Sequence, residues 1–163
     1  MLKKISYLSV LLFSFVSFSA AQVYQKPFEE FTGTWEGVYE VGGFRNKEVI
    51  ENRLIHKDKF FEMYVWGHLE GNPGNKYSNS AVFTVNDKNE IIGWGFDETG
   101  YIGIINFKGE LSDNKVTLTG ESNNYNIEVS FDIKDNLLIR KSKWIFKDSP
   151  DKPSIVECIY KRI

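Results

Sequence analysis

A single arginine poses the first chemical question in this chain. Arg140 and Ser142 alternate with Leu138, Trp144 and Phe146, so one face of a strand would carry a guanidinium among apolar side chains. Placed inside a fold, that fixed charge needs an anion, either a carboxylate of the protein or one on a ligand. Leu137, Ile139 and Ile145 on the opposite face are apolar too, so two registers stay open, with Arg140 inward or in water. Other polar groups also fall on mainly apolar faces. Tyr160 and Arg162 share one with Val156, Asn52 and His56 share one with Ile50 and Leu54, and Tyr39 and Tyr101 add hydroxyls at strand ends. Burying such a group without a partner costs roughly 1–3 kcal/mol, so each inward one implies an internal pair or a ligand contact. The candidate ligand-binding residues are therefore Arg140, Tyr160, Asn52, His56, Tyr39 and Tyr101. Trp94 and Trp144 join Phe83, Phe107 and Phe131 as candidate aromatic walls.

Catalytic and metal chemistry find little support. His56 sits beside Lys57 and Asp58 in a turn signal, where an exposed histidine is the ordinary outcome. His56 and His68 have no recognised metal spacing, and no cysteine cluster helps them. Cys158 is the one cysteine; it lies mid-strand, where a buried inert thiol is the default and no internal disulfide can form. There is no Gly-x-Ser-x-Gly elbow and no phosphate-cradling glycine loop. Glu36 and Glu40 lie opposite Trp35 and Tyr39 and read as solvated surface. No catalytic residue, metal or cofactor is assigned.

The elements that must position these groups are strands. Tyr125, Ile127, Val129, Phe131 and Ile133 alternate with Asn126, Glu128, Ser130 and Asp132, the pattern of a sheet wet on one side. The same reading predicts strands over 34–41, 49–56, 59–69, 80–86, 90–97, 101–111, 115–122, 125–133, 136–146 and 154–163. Gly42-Gly43, Asn86–Asn89, Ser112–Asn114 and Lys134–Asn136 suit tight hairpins, and two longer loops are expected at 70–79 and 147–153. Sequential hairpins imply an up-and-down order, and closing the sheet removes its exposed edges. The expected fold is an all-β antiparallel barrel of about ten strands; a sandwich is the alternative. Inward Gly37, Gly103 and Gly109 favour an open interior.

The first residues read as an address. Lys3 and Lys4 precede an apolar run from Ile5 to Phe18, and Ser19-Ala20-Ala21 precedes Gln22. This fits an export signal of residues 1–21, cut after Ala21, with a single domain at 22–163. The run is shorter than the roughly 20 residues that span a bilayer, so no stable membrane anchor is expected after cleavage; an uncleaved anchor is the alternative. Cleavage removes two lysines and shifts the formal charge from −2 to about −4. That balance, without a basic block, argues against a nucleic-acid partner. The protein is expected to be exported, periplasmic or secreted.

Phe31-Thr32-Gly33-Thr34-Trp35-Glu36-Gly37 opens the first strand, and Val156 to Arg162 ends the last. This pairing resembles the calycin superfamily of lipocalins, fatty-acid-binding proteins and nitrobindin-like barrels. It is also similar to a bacterial group of barrels that begin Gly-Thr-Trp-x-Gly. The resemblance implies a barrel whose Gly33-Thr34-Trp35 seals one end, Trp35 serving as core. Fatty-acid-binding proteins hold a carboxylate with an inward arginine and tyrosine two apart on the last strand. Tyr160 matches that tyrosine, whereas Cys158 stands where the arginine would be. Their lid after strand one has no room between 42 and 47. Nitrobindin-like barrels hold haem through a late histidine, and both histidines here are early.

The function expected from these residues is binding of a small apolar or amphipathic ligand in the cavity, with Arg140 and Tyr160 as polar fixers. A filled barrel acting through its surface loops is the alternative. A small barrel isomerase or cyclase would need a convergent acid–base pair, for which only Asn52, His56, Arg140 and Tyr160 offer themselves.

Overall fold

The computed structural model describes residues 28–98, 103–112 and 114–163. The expected export signal of residues 1–21 and the candidate Tyr101 lie outside them. The chain forms one closed antiparallel barrel in the order β1-β10-β9-β8-β7-β6-β5-β4-β3-β2. The strands are β1 (Gly33–Val41), β2 (Phe44–Ile55), β3 (Phe60–Leu69), β4 (Asn72–Val85), β5 (Glu90–Asp97), β6 (Ile105–Ser112), β7 (Lys115–Glu121), β8 (Tyr125–Lys134), β9 (Leu137–Phe146) and β10 (Ser154–Arg162). The barrel, not the sandwich, is thus the solution to the edge problem. Each strand pairs with its sequence neighbour, and four residue pairs between β1 and β10, Trp35↔Arg162 to Val38↔Ile159, close the ring. Ten strands enclose a wider lumen than the eight whose side chains just fill the interior.

Turn chemistry sets the register. Gly42 and Gly43 both have positive φ, 59° and 79°, as a two-residue hairpin with the twist of its flanking strands requires. Asp135 and Asn136 do the same between β8 and β9, at 52° and 60°. At the β4–β5 turn, Asn86 Oδ1 accepts hydrogen bonds from the backbone N–H of Lys88 (2.9 Å) and Glu90 (3.0 Å).

Three boundaries differ from the sequence-based expectation, the simplest being that β6 begins at Ile105, with residues 103 and 104 outside the strand expected over 101–111. β2 starts at Phe44 rather than 49, pairing with β1 from Val41↔Phe44 onward. The expected loop at 70–79 is mostly strand: the chain turns at Glu70-Gly71 and β4 begins at Asn72. A register shift at His68/Leu69 leaves residues 73–75 without partners on β3, and this is how the ladder accommodates Pro73, which has no N–H to donate.

One end of the barrel is packed shut. A single 3₁₀ turn, Glu29–Phe31, precedes β1. Phe28 stacks on Phe61 with ring centroids 4.5 Å apart. The Phe31 carbonyl oxygen accepts from Trp35 Nε1 at 3.1 Å and from Asn52 Nδ2 at 2.9 Å. Outside, the Arg162 guanidinium lies 4.4 Å from the Trp35 ring centroid and donates to the Glu30 carbonyl oxygen at 3.0 Å. Trp35 is thus core and end seal together, as the resemblance implied.

Candidate functional site

A row of residues crosses five strands at one height in the wall. Tyr160 on β10 lies opposite Gly37 on β1, which lies opposite Glu48 on β2; Glu48 lies opposite Gly67 on β3, which lies opposite Tyr77 on β4. The two glycines give the row its chemistry. A Cβ at Gly37 would stand 2.6 Å from Tyr160 Cδ1 and 2.7 Å from Cys158 Sγ. One at Gly67 would stand 2.5 Å from Tyr77 Oη and 2.7 Å from the Lys47 carbonyl oxygen. Without side chains on its flanks, Glu48 receives a tyrosine from each side.

Glu48 is only 2% exposed, so its carboxylate depends on these partners. Oε1 accepts from Arg140 Nη1 at 2.5 Å and from the Tyr160 hydroxyl. Oε2 accepts from the Tyr77 hydroxyl at 2.9 Å. Tyr77 in turn lies 2.9 Å from the Tyr39 hydroxyl. Since the Tyr77 proton points at Glu48, Tyr39 donates to Tyr77, and the chain of donors ends on the carboxylate. The Arg140 guanidinium sits 5.3 Å from the Tyr39 ring centroid and 5.4 Å from that of Tyr160, within reach of a cation–π attraction to both.

Burial and the nearby carboxylate disfavour phenolates here. Desolvation, then the charge of Glu48, raise Tyr39 and Tyr77 above the usual tyrosine range. Desolvation raises Tyr160 as well, and the Glu48 charge adds to this against the opposing pull of Arg140. Burial alone would lower Arg140, but Glu48, Tyr160 and Tyr39 outweigh it and hold the guanidinium above its ordinary value. Cys158 is pushed up by burial, in keeping with an inert thiol.

The cluster forms one pole of a cavity of about 330 Å³. Val65, Ala81, Ile105, Phe107, Val129 and Phe131 supply apolar wall, and Asn79, Asp97, Tyr125 and Trp144 also line it. Desolvation, reinforced by Asp97, takes Tyr125 from the ordinary 10.0 to about 12. The volume is at the lower end of the roughly 300–1,000 Å³ of small-molecule sites. Glu48 spends three lone-pair positions on internal donors and is poorly placed to take a proton from a substrate, so the arrangement suits binding better than acid–base work.

The structure brings some of the candidate residues together and scatters others. Arg140, Tyr39 and Trp144 line the cavity, and Tyr160 is fully buried at its pole. Arg140 takes the inward register and pairs internally. It also stands directly opposite Cys158, so the arginine missing from the last strand is supplied by the strand beside it. Asn52 is buried but sits at the closed end, bound to Phe31 and away from this cavity. His56 is corrected: it is exposed in the β2–β3 turn with φ 51°, its ring 5.9 Å from Phe60, because the strand ends one residue earlier. Trp94 is corrected as well. It points outward at 43% exposure, since the alternation of β5 turns Ile91, Gly93 and Gly95 inward. Nor do Gly37 and Gly109 open the lumen: the space a Cβ would need is taken by Tyr160 at Gly37 and by Leu118 and the Thr117 carbonyl at Gly109, while Gly103 packs against Asp97.

Glu48 and Tyr77 were missed by the sequence reading. Continuing the Leu54, Asn52, Ile50 alternation one step back reaches Glu48, a signal lost when the strand is begun at 49. Tyr77 fell inside the expected loop. Among the described residues no group of three or more His, Cys, Asp or Glu side chains is gathered to hold a metal ion.

No family model matches the chain, and no curated protein matches it at a significant level. Solved structures do. The structure of EF1p2_mFAP2b bound to DFHBI is similar with a TM-score of 0.51 at 7% identity, over 85% of this chain and 98% of that one. A redesigned β barrel (TM-score 0.43, 10% identity, 85% and 96% covered) and a de novo designed fluorescence-activating β barrel (0.41, 14%, 85% and 98%) also align. The first of these likenesses supports the antiparallel β-barrel fold.

Proposed function

We propose that this protein is an exported barrel that captures one small, largely apolar or amphipathic molecule in its lumen. The observation that carries the reading is the cavity of about 330 Å³, with apolar walls and a cluster of hydrogen-bonding groups at one pole. This is the general anatomy of a ligand pocket: area for affinity, a few placed polar groups for orientation. A barrel of the same general fold has been solved with DFHBI bound, so the architecture is compatible with holding a small molecule. Export rests on the basic, apolar and small-residue succession of residues 1–21.

Native mass spectrometry of the mature protein from its own host tests this. An adduct that disappears on denaturation, and is absent from Ala81→Phe, whose ring would occupy the lumen, is the expected result. A bare mass with no uptake from a host lipid extract would overturn it. That outcome would favour a second reading, action through the outer surface, where Tyr64, Trp66, Trp94 and Phe96 stand 40–44% exposed on β3 and β5.

A further inference from the structure

One hydroxyl in the cavity wall, that of Ser142, has no hydrogen-bond partner among the described residues. Resting on the reading of the cavity as a ligand site, we propose that Ser142 is its hydrogen-bonding contact. The occupant is a compact apolar molecule carrying a hydroxyl or carbonyl oxygen, seated against the Ser142 hydroxyl.

The buried polar and charged residues among those described are Glu48, Asn52, Ser122 and Ser142, and the first three are held by the protein. Glu48 accepts from Arg140, Tyr77 and Tyr160. Asn52 donates to the Phe31 carbonyl oxygen, and Ser122 Oγ to that of Tyr125 at 3.1 Å. Ser142, only 6% exposed, makes no hydrogen bond to any described residue, although it lines the cavity. Arg140 Nε is unpartnered too, but it is sealed off from the lumen, whereas Ser142 Oγ keeps surface toward it. Nor does the wall require a serine at this place. Its ladder neighbours on β8 and β10 are Val129 and Val156, both buried and both lining the same cavity. A third apolar side chain would continue that wall, whereas a buried hydroxyl left unmet costs stability. A residue that weakens the empty barrel in order to contact an occupant is the trade-off expected of a binding residue.

The surroundings of this hydroxyl set the class of the occupant. It offers one proton and two lone pairs at a single point between two valines, so the wall supplies one neutral hydrogen bond at this level. A hydroxyl or carbonyl oxygen needs no more than that. The polar pole is otherwise engaged, since the protons of Tyr39, Tyr77 and Tyr160 are committed to a chain that ends on Glu48. On β9, Ser142 stands two residues from Arg140 and two from Trp144, a rise of about 7 Å along the strand in each direction. The oxygen of the occupant is therefore held partway along the lumen. Its apolar body rests against Phe107, Phe131 and the Tyr125–Trp144 pair, whose ring centroids are 4.9 Å apart.

The test pairs binding with stability in Ser142→Ala. Isothermal titration calorimetry of the mature protein uses 2-naphthol, 2-acetylnaphthalene and 2-methylnaphthalene, one ring system bearing a hydroxyl, a carbonyl or neither. Wild type is expected to bind at least one oxygenated probe about tenfold or more tightly than 2-methylnaphthalene. Ser142→Ala is expected to lose that preference and to unfold at the same or a higher urea concentration. No preference in wild type, or one that survives in Ser142→Ala, would overturn the inference while leaving the cavity reading intact. So would a lower urea midpoint for Ser142→Ala, which would mark the hydroxyl as structural. Should none of the probes bind, the adduct in native mass spectra decides. Its loss from Ser142→Ala supports the inference, its undiminished retention overturns it, and a bare wild-type mass removes the cavity reading itself.

Discussion

Among the described residues, two arginines lie over aromatic rings, and they are held in opposite ways. At the closed end Arg162 is exposed, stacked over Trp35 and donating to a backbone carbonyl; its charge stays in water and its neighbours are neutral. Higher in the lumen Arg140 is withdrawn from solvent, with 13% of its side chain exposed, and is neutralised by a carboxylate with 3% of its own. The closed end packs around Phe28, Phe31 and Trp35 and leaves a void of only about 10 Å³. The other region keeps a cavity of about 330 Å³. Where the protein needs only to seal, it uses neutral acceptors and close packing. Where it leaves space, it brings in a charge pair that must be satisfied from several strands at once.

The largest expected effect sets these two regions directly against each other. Glu48→Leu leaves Arg140 buried without its counter-ion and is expected to cost about 3–5 kcal/mol in urea unfolding. Arg162→Leu removes an exposed cation–π contact and one hydrogen bond, worth about 1 kcal/mol. Equal losses in the two variants would mean that the internal pair is no more critical than the surface one.

A smaller effect probes the glycines. Gly67→Ala places a methyl where Tyr77 Oη now lies, and overpacking of this kind costs roughly 1–3 kcal/mol. The same change in Gly71, where no atom lies within 4 Å of an added Cβ but φ is +84°, tests backbone strain without crowding. If both variants lost the same stability by the same route, Tyr77 would keep its contact with Glu48 in Gly67→Ala, which a structure of that variant would reveal.

The smallest effect is read with pH. Tyr125 is raised from 10.0 to about 12, and Tyr39, Tyr77 and Tyr160 are raised too. A raised folded value means that the fold holds the proton more tightly than the unfolded chain does. The associated stability is complete below pH 10.0 and is lost as pH climbs toward about 12 for Tyr125. Thermal melts across that range should show a falling Tm, with phenolate absorbance of the lumen tyrosines appearing only as unfolding begins. Full titration of the tyrosines in the folded protein near pH 10 would contradict their placement.

Much of this fold was legible from period-two alternation, because most inward positions are apolar and most outward ones polar. The strand count and the meander followed from that, whereas the sealing role of Trp35 was implied by the resemblance carried by Gly33-Thr34-Trp35. Legibility failed at the site for a physical reason. A carboxylate facing the lumen breaks the alternation that defines a strand, so the Phe44–Glu48 stretch, with Arg45, Lys47 and Glu48, looks like a connection. Asn72 to Asn79, with Pro73 and Gly74, looks like one for the same reason. Arg140 could be seen as an inward candidate, but its partner lies 92 positions away on a strand read as too short. Trp94 shows the converse: a large aromatic attracts assignment to a cavity, although the inward glycines on either side of it fix its direction outward.

The row that crosses from β10 through β1 to β2 has a consequence for how the chain assembles. Every pairing except one joins sequence neighbours, and can form as a local hairpin with little loop entropy to overcome. The exception, Trp35↔Arg162 to Val38↔Ile159, joins the two ends of the domain, and the Tyr160 bond to Glu48 spans 112 positions beside it. Non-local contacts of this kind come late and slowly. The buried carboxylate therefore acquires its Tyr160 donor only when the C-terminal strand docks, and until that moment β1 and β9 present unpaired edges to any other chain nearby. Ring closure and charge satisfaction are thus the same kinetic event, and a chain ending at Pro153 would be expected to aggregate rather than to fold into a smaller barrel.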